Sequence, residues 1–196
     1  MNFNKSYQKL QTAILSKLKN YLAKDLFYHS IDHTIDVEKQ AVRIALNENI
    51  NDEEDLFLLK IACLYHDIGF LATYADHEIE GCKLAKLELP DYGINERQID
   101  VVCGLIMATK IPQTPLTPLE EVICDADLDY LGRDDFKIIS NLLFQEISIR
   151  GFVKSELEWN LIQIKFFNQH HYFTNTSKLL RAPEKNKHLE EIKALI

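Results

Sequence analysis

Apolar residues recur at helical spacing along most of this chain. Tyr7, Leu10, Ile14, Leu18 and Tyr21 follow steps of three and four, and Val37, Ala41, Ile44 and Ala45 carry the same period into the next segment. Each series predicts an amphipathic helix. Residues 56–64, Leu-Phe-Leu-Leu-Lys-Ile-Ala-Cys-Leu, are apolar almost all the way round, the pattern of a central helix covered on every side. Further helices are predicted over about 76–88, 95–109, 117–130, 133–150 and 154–181, with a last short, loosely packed one from about 184. Thr117 stands before Pro118 and three residues ahead of Glu120, which is capping-box spacing, so 111–118 reads as a rigid connector between two helices. The fold class this pattern predicts is all-α.

Composition supports that reading and narrows the function. Only 6 glycines and 5 prolines interrupt the 196 residues, which leaves room for long helices. With 46% hydrophobic and 27% charged residues the chain can bury one substantial core, so 1–196 is expected to be a single domain. The formal net charge of −8, and the lack of any Lys/Arg stripe, argue against a DNA or RNA duplex as partner. No apolar run approaches the roughly 18 to 20 residues of a membrane span, and Met1-Asn2-Phe3-Asn4-Lys5-Ser6 lacks the basic-then-apolar pattern of a signal peptide. No membrane association and a cytoplasmic location are therefore expected. Cys63, Cys82, Cys103 and Cys124 form no C-x-x-C pair and read as buried free thiols. Near the C-terminus, Lys178, Arg181, Lys185 and Lys187 alternate with Glu184, Glu190 and Glu191 and read as a solvated face. Trp159, Ile162, Phe166, His170 and Phe173 read as a packed stripe, with His171 and Tyr172 near a pocket mouth.

Three segments carry candidate chemistry. The central helix runs out into His66-Asp67-Ile68-Gly69, so an imidazole and a carboxylate emerge from the most apolar element of the chain. A buried carboxylate is costly unless it is ion-paired, protonated or metal-bound, and no Lys or Arg follows until Lys83. Taken alone the pair also admits a structural role, the Asp capping a helix and the His donating to a carbonyl. In Tyr28-His29-Ser30-Ile31-Asp32-His33-Thr34, the two histidines share a helical face leading to Val37 and Ala41, provided the helix has begun by residue 29. Packing is the alternative use of such a pair. Ser30 stands where an H-E-x-x-H zinc protease needs its glutamate, which excludes that class.

The third segment, 123–132, reads Ile-Cys-Asp-Ala-Asp-Leu-Asp-Tyr-Leu-Gly. Its alternate aspartates suggest a calcium loop, but Tyr130 occupies the place of the turn glycine and Phe136 that of the bidentate glutamate. On a helix Asp127 instead shares the face of Ile123 and Leu131, while Asp125 and Asp129 stack on another. His33, His66, Asp67 and Asp127 can thus converge from three helices as metal-ligand sets do. This donor mix suits Mn, Fe, Zn, Co or Ni, or Mg with waters completing the shell.

The order His33, then Leu64-Tyr65-His66-Asp67-Ile68-Gly69, then Asp125-Ala126-Asp127-Leu128-Asp129 resembles the HD-domain superfamily of metal-dependent phosphohydrolases. The likeness spans 28–132, about half of the chain. It implies an HD-like helical bundle with extra N- and C-terminal helices, the C-terminal extension covering 133–196. It also implies one or two divalent metal ions and hydrolysis of a phosphate mono- or diester, of a nucleotide or cyclic nucleotide. Tyr28-His29-x-x-x-His33 is similar to the Y-H-x-x-x-H motif of cyclic-nucleotide phosphodiesterases in that superfamily, which implies His29 as general acid and His33 as ligand. Residues 106–110, Ile-Met-Ala-Thr-Lys, lack the His pair that completes a second metal site in fuller members, and the glycine-tyrosine-proline signature of cyclic-di-GMP enzymes is absent.

In the mechanism so implied, His33, His66, Asp67 and Asp127 hold a divalent ion whose bound water attacks phosphorus, and His29 protonates the leaving alkoxide. Asp67 also reaches a second ion. His77, Glu78, Lys110 and Arg133 are candidate substrate-binding residues; a surface pair is the alternative for His77 and Glu78 and a solvated helix C-terminus that for Lys110, with Arg133 as the alternative phosphate clamp. The expected partner is a small phosphorylated metabolite or nucleotide; oligomeric state is left open. Two other classes compete: a regulatory module that binds a nucleotide without hydrolysing it, and a di-iron oxygenase, which needs more inward histidines than this chain presents.

Overall fold

The apolar stretch at the middle of the sequence forms the helix around which the others assemble. The computed structural model describes residues 3–196, Asn4 by its backbone alone. Ten α-helices lie among the described residues: α1 (Phe3–Tyr21), α2 (Ile31–Asn47), α3 (Glu53–Tyr65), α4 (His77–Glu88), α5 (Glu96–Ala108), α6 (Pro118–Asp127), α7 (Phe136–Ile149), α8 (Glu156–Gln169), α9 (Asn175–Leu180) and α10 (Ala182–Lys193). Short 3-10 turns at Ile68–Leu71, Leu89–Tyr92 and Asp129–Gly132 join some of them. No described residue forms a strand, and no described helix is long and apolar enough to cross a membrane.

Asp52 starts α3 by accepting from the backbone N–H groups of Glu54 and Asp55, and three acidic residues in the first turn face the positive end of the helix dipole. From Phe57 to Tyr65 only Lys60 escapes full burial, as the all-round apolar pattern requires. Each such side chain contributes about 1.5–3 kcal/mol by leaving water. Helices α1, α2 and α5 cover it. On α1 the buried face is Tyr7, Leu10, Ile14 and Leu18, while Tyr21, the last member of the series, is exposed. Thr117 and Glu120 close the expected capping box at the start of α6.

A second, smaller core gathers Leu131, Phe136, Phe167, Leu189 and Ile192 from the C-terminal third of the chain. The two cores are joined through α6 and the turn after it, since Val122, Ile123 and Ala126 pack into the first and Leu128, Tyr130 and Leu131 into the second. The predicted helix over 154–181 is two helices. Asp125, fully buried in α6, accepts from Phe173 N, Thr174 N and Thr174 Oγ1 at 2.8, 2.8 and 2.6 Å, and a continuous helix could not present those groups together. The helical spacing of Phe166, His170 and Phe173 is overridden by that tertiary bond.

The C-terminal cations form a solvated face only in part: Lys178 and Lys187 are exposed, whereas Arg181 and Lys185 turn inward. Arg181 Nε and Arg43 Nη2 bind the fully buried Asp129 at 2.9 and 2.8 Å, tying α2 to the junction of α9 and α10. Lys185 is buried, donates to the His170 carbonyl at 2.5 Å, and its pKa is pushed down to about 8 by burial. Instead of packing loosely, α10 buries His188, Leu189 and Ile192. The four cysteines are free thiols, three buried and Cys82 partly so.

Removing one member of a buried ion pair leaves the others uncompensated, at a cost of about 3–5 kcal/mol. Asp129→Ala is therefore expected to lower the unfolding free energy by about that amount in denaturant titrations. His170 gives a pH signature. Neither of its ring nitrogens meets a hydrogen-bond partner among the described residues, and burial, with Lys185 and His171 nearby, holds its pKa at about 3 against an ordinary 6.5. Between those values the unfolded chain binds a proton that the folded chain does not, so this contribution is intact above pH 6.5 and lost as pH falls towards 3. Urea unfolding of His170→Leu at pH 7, 5.5 and 4 should show a flatter acid decline than wild type, the difference approaching about 1.4 kcal/mol per pH unit.

Candidate metal centre

The end of α3 delivers His66 and Asp67 at the seam between the two cores. His66 Nδ1 lies 2.8 Å from the Cys63 carbonyl, which can only accept, so the proton sits on Nδ1 and the Nε2 lone pair is turned towards the site. That Nε2 faces His33 Nε2 at 3.3 Å, Asp67 Oδ2 at 3.2 Å and Asp127 Oδ1 at 3.7 Å. His33, in the first turn of α2, is 3.1 Å from Asp127 Oδ1 and 3.4 Å from Asp67 Oδ2. Asp127 is the last residue of α6. Three helices thus bring together the four residues that the sequence singles out.

The donor set fits a divalent cation. One ligand atom each from His33, His66 and Asp127 lies within 4.8 Å of the others, and Asp67 Oδ2 is a buried carboxylate oxygen with no hydrogen-bond partner among the described residues. Burial opposes charge on His66, yet Asp67 and then Asp127 outweigh it and raise its pKa to about 9. Burial likewise works against charge on Asp67, and His66 and His77 overcome it, holding the carboxyl well below its ordinary range. The field of the site attracts positive charge, and a metal ion and an imidazolium proton compete for the same two carboxylates.

Beside the cluster, Gly69 lets the chain pass close to the start of α4, because a Cβ there would collide with the His77 carbonyl. That approach sets His77 Nε2 3.4 Å from Asp67 Oδ1, with the His77 ring stacked on Phe70 at 4.0 Å and Glu78 buried next to it. His29 does not share a helical face with His33, since α2 begins only at Ile31, behind Ser30, whose side chain caps His33 N. Its ring, 6.2 Å from that of His33, is held from elsewhere.

That support is Glu146, fully buried on α7, which no sequence motif points to. Its Oε2 accepts from Tyr28 N and His29 N at 3.0 and 3.1 Å, and its Oε1 meets His29 Nδ1 at 2.5 Å and the Tyr74 hydroxyl at 3.0 Å. Burial would raise the Glu146 pKa, but His29 and the backbone donors win and lower it. Phe70, 4.2 Å from the His29 ring, was equally invisible in sequence. The only sequence signal for Glu146 is a carboxylate within the apolar run 142–147, Leu-Leu-Phe-Gln-Glu-Ile.

His29, Asp67, His77, Glu78 and Asp127 line one end of a cavity of about 230 Å³. Lys110 and Arg133 are not brought to it. Lys110 pairs with Asp76 at 2.5 Å on the surface, and Arg133 is held by Asp36 and Asp135 at 2.6 Å each, so their charge is already satisfied by carboxylates outside the cavity. His171 is exposed, and Tyr172 is buried with its hydroxyl on the Leu128 carbonyl; neither lines the cavity.

The sequence model of the HD domain matches residues 30–129, a span that opens just before His33 and closes just after Asp127. Among curated proteins none matches. Two solved structures share the fold across 94% of this chain. One, a predicted HD superfamily hydrolase from an uncultured Thermotogales bacterium, is 23% identical with a TM-score of 0.61 over 90% of its own length. The other, a protein of Lactobacillus plantarum, is 21% identical with a TM-score of 0.64 over 95% of its length. With the matched segment spanning just over half of the residues and all three helices that carry the cluster, the chain belongs to the HD-domain family.

Proposed function

We propose that this protein is a metal-dependent phosphohydrolase that cleaves a phosphate mono- or diester of a small metabolite. The observation that carries the reading is the junction, at one end of a cavity, of a His-His-Asp cluster and a separate carboxylate-supported histidine. His33, His66, Asp67 and Asp127 would hold the ion. A divalent metal bound there supplies Lewis-acid polarisation of a phosphoryl oxygen and activation of water. Cys63, through its carbonyl, keeps His66 in the tautomer that ligation needs.

His29 would act on the leaving group. Glu146 engages Nδ1 and so leaves Nε2 as the ring nitrogen that hands a proton to the departing alkoxide. Phe70 packs against both the His29 and His77 rings and restrains them. His77 and Glu78, on the cavity wall beside Asp67, would meet substrate oxygens or a second ion. The sequence resemblance suggests a nucleotide as the body of the ester.

Two measurements test the assignment. Protein purified without chelator is expected to contain one or two equivalents of a divalent metal by mass spectrometry, falling roughly tenfold or more in Asp67→Ala and Asp127→Ala while the helical circular-dichroism signal is kept. Wild-type metal content and turnover in both variants would sink the proposal. Glu146→Gln should lower kcat by about 10²-fold for an ester with an alkyl leaving group and far less for a 4-nitrophenyl ester, whose leaving group needs no proton. Equal loss on both substrates would assign Glu146 a structural role only.

A further inference from the structure

The cavity changes character away from the metal cluster. Its far walls are Phe136 and Leu143 from α7, Trp159, Ile162 and Phe166 from α8, and Tyr130 from the turn after α6. Phe144 stacks on Trp159 with rings 18° from parallel, which stiffens that wall. Among the described residues no Lys or Arg lines the cavity. The nearby cations are committed elsewhere: Lys110 to Asp76, Arg133 to Asp36 and Asp135, and Arg150 to Asp25 and the face of Tyr74.

Polar side chains in the wall are engaged with other protein groups, the Tyr28 and Tyr130 hydroxyls with each other. Gln163 accepts from Ser140 Oγ at 2.7 Å and donates to Asn160 Oδ1 at 3.2 Å, and the Thr109 hydroxyl donates to the Ile106 carbonyl at 2.8 Å. A second or third phosphate entering here would surrender its water to an apolar surface with no counter-charge, and burying an unpaired charge is severely unfavourable. A nucleobase would leave its hydrogen-bonding edge unmet, and each buried group without a partner is unfavourable. A hydrocarbon or phenyl group would lose nothing of this kind and would gain stacking against Trp159 and Phe166.

We infer that the substrate carries a single phosphate on an uncharged apolar body, aromatic or branched alkyl, with the phosphate at the Asp67 end and the body between α7 and α8. This inference rests on the phosphohydrolase reading and names its substrate class, in place of the nucleotide that the sequence resemblance suggests. Trp159 is the chain's sole tryptophan, so its fluorescence reports occupancy of the apolar half independently of turnover.

The experiment compares benzyl phosphate with AMP and cyclic AMP on the metal-loaded protein, and titrates the non-hydrolysable benzylphosphonate against Trp159 emission. Benzyl alcohol and a ribose hydroxyl are comparably poor leaving groups, so the ratio reads the pocket. The expected result is a saturable change in emission and a kcat/KM at least about tenfold higher for benzyl phosphate than for any nucleotide. Ile162→Glu, at a half-exposed wall position, should raise KM for benzyl phosphate about tenfold or more and leave that for methyl phosphate unchanged. Faster turnover of a nucleotide would overturn the apolar body and leave the phosphohydrolase standing. A saturable change in emission without hydrolysis of any ester would overturn the phosphohydrolase and support the apolar subsite. No change in emission and no effect of Ile162→Glu would overturn the subsite.

Discussion

Two carboxylates held against two imidazoles at the seam of two hydrophobic cores are the constraint around which this molecule is arranged. Asp67 and Asp127 lie between 3.1 and 3.7 Å from His33 and His66 nitrogens, in surroundings where a bare anion would be severely destabilising. Such a cluster persists only if the helices that carry it are fixed independently. The first core does this through α3, packed on all sides, and Asp67 follows it on a turn whose Gly69 permits close passage to α4. The stability of the apolar core is what holds the unfavourable polar geometry in place.

The alternate aspartates after Cys124 illustrate how one short segment can serve three purposes. Asp125 satisfies the backbone at the start of α9, Asp127 joins the histidines, and Asp129 is neutralised by arginines from α2 and the C-terminal helices. They diverge because α6 stops at Asp127 and a tighter turn takes over, which rotates Asp129 away from the helical register. The same junction fastens the C-terminal helices to the bundle. Those helices then supply both the Glu146 that supports His29 and the aromatic wall of the cavity, so the extension belongs to the candidate site as much as the motif-bearing segment does.

Residues with short-range signatures were legible. The helical periods of α1 and α2, the all-apolar α3, the capping box of α6 and the order of the His and Asp motifs depend on spacing along the chain. Where a distant group intervened, spacing misled. Ser30 ends the turn before α2 and puts His29 off the helix; Asp125 breaks the helix predicted over 154–181; and Arg133, apt for a phosphate by type, is consumed by Asp36 and Asp135.

The sequence by itself determined that the chain would be helical, that its centre would be α3, and that His33, His66, Asp67 and Asp127 were the residues to bring together, because each of these follows from local periodicity or from the cost of an anion in an apolar segment. Only the tertiary structure decided that Glu146, 117 positions after His29, would support it, that Lys110 and Arg133 would be spent on other carboxylates, and that the wall opposite the cluster would be aromatic and uncharged. Hydrogen bonds and ion pairs between distant residues are chosen by which groups the packed helices leave within about 3 Å of each other, and no spacing along one chain encodes that distance.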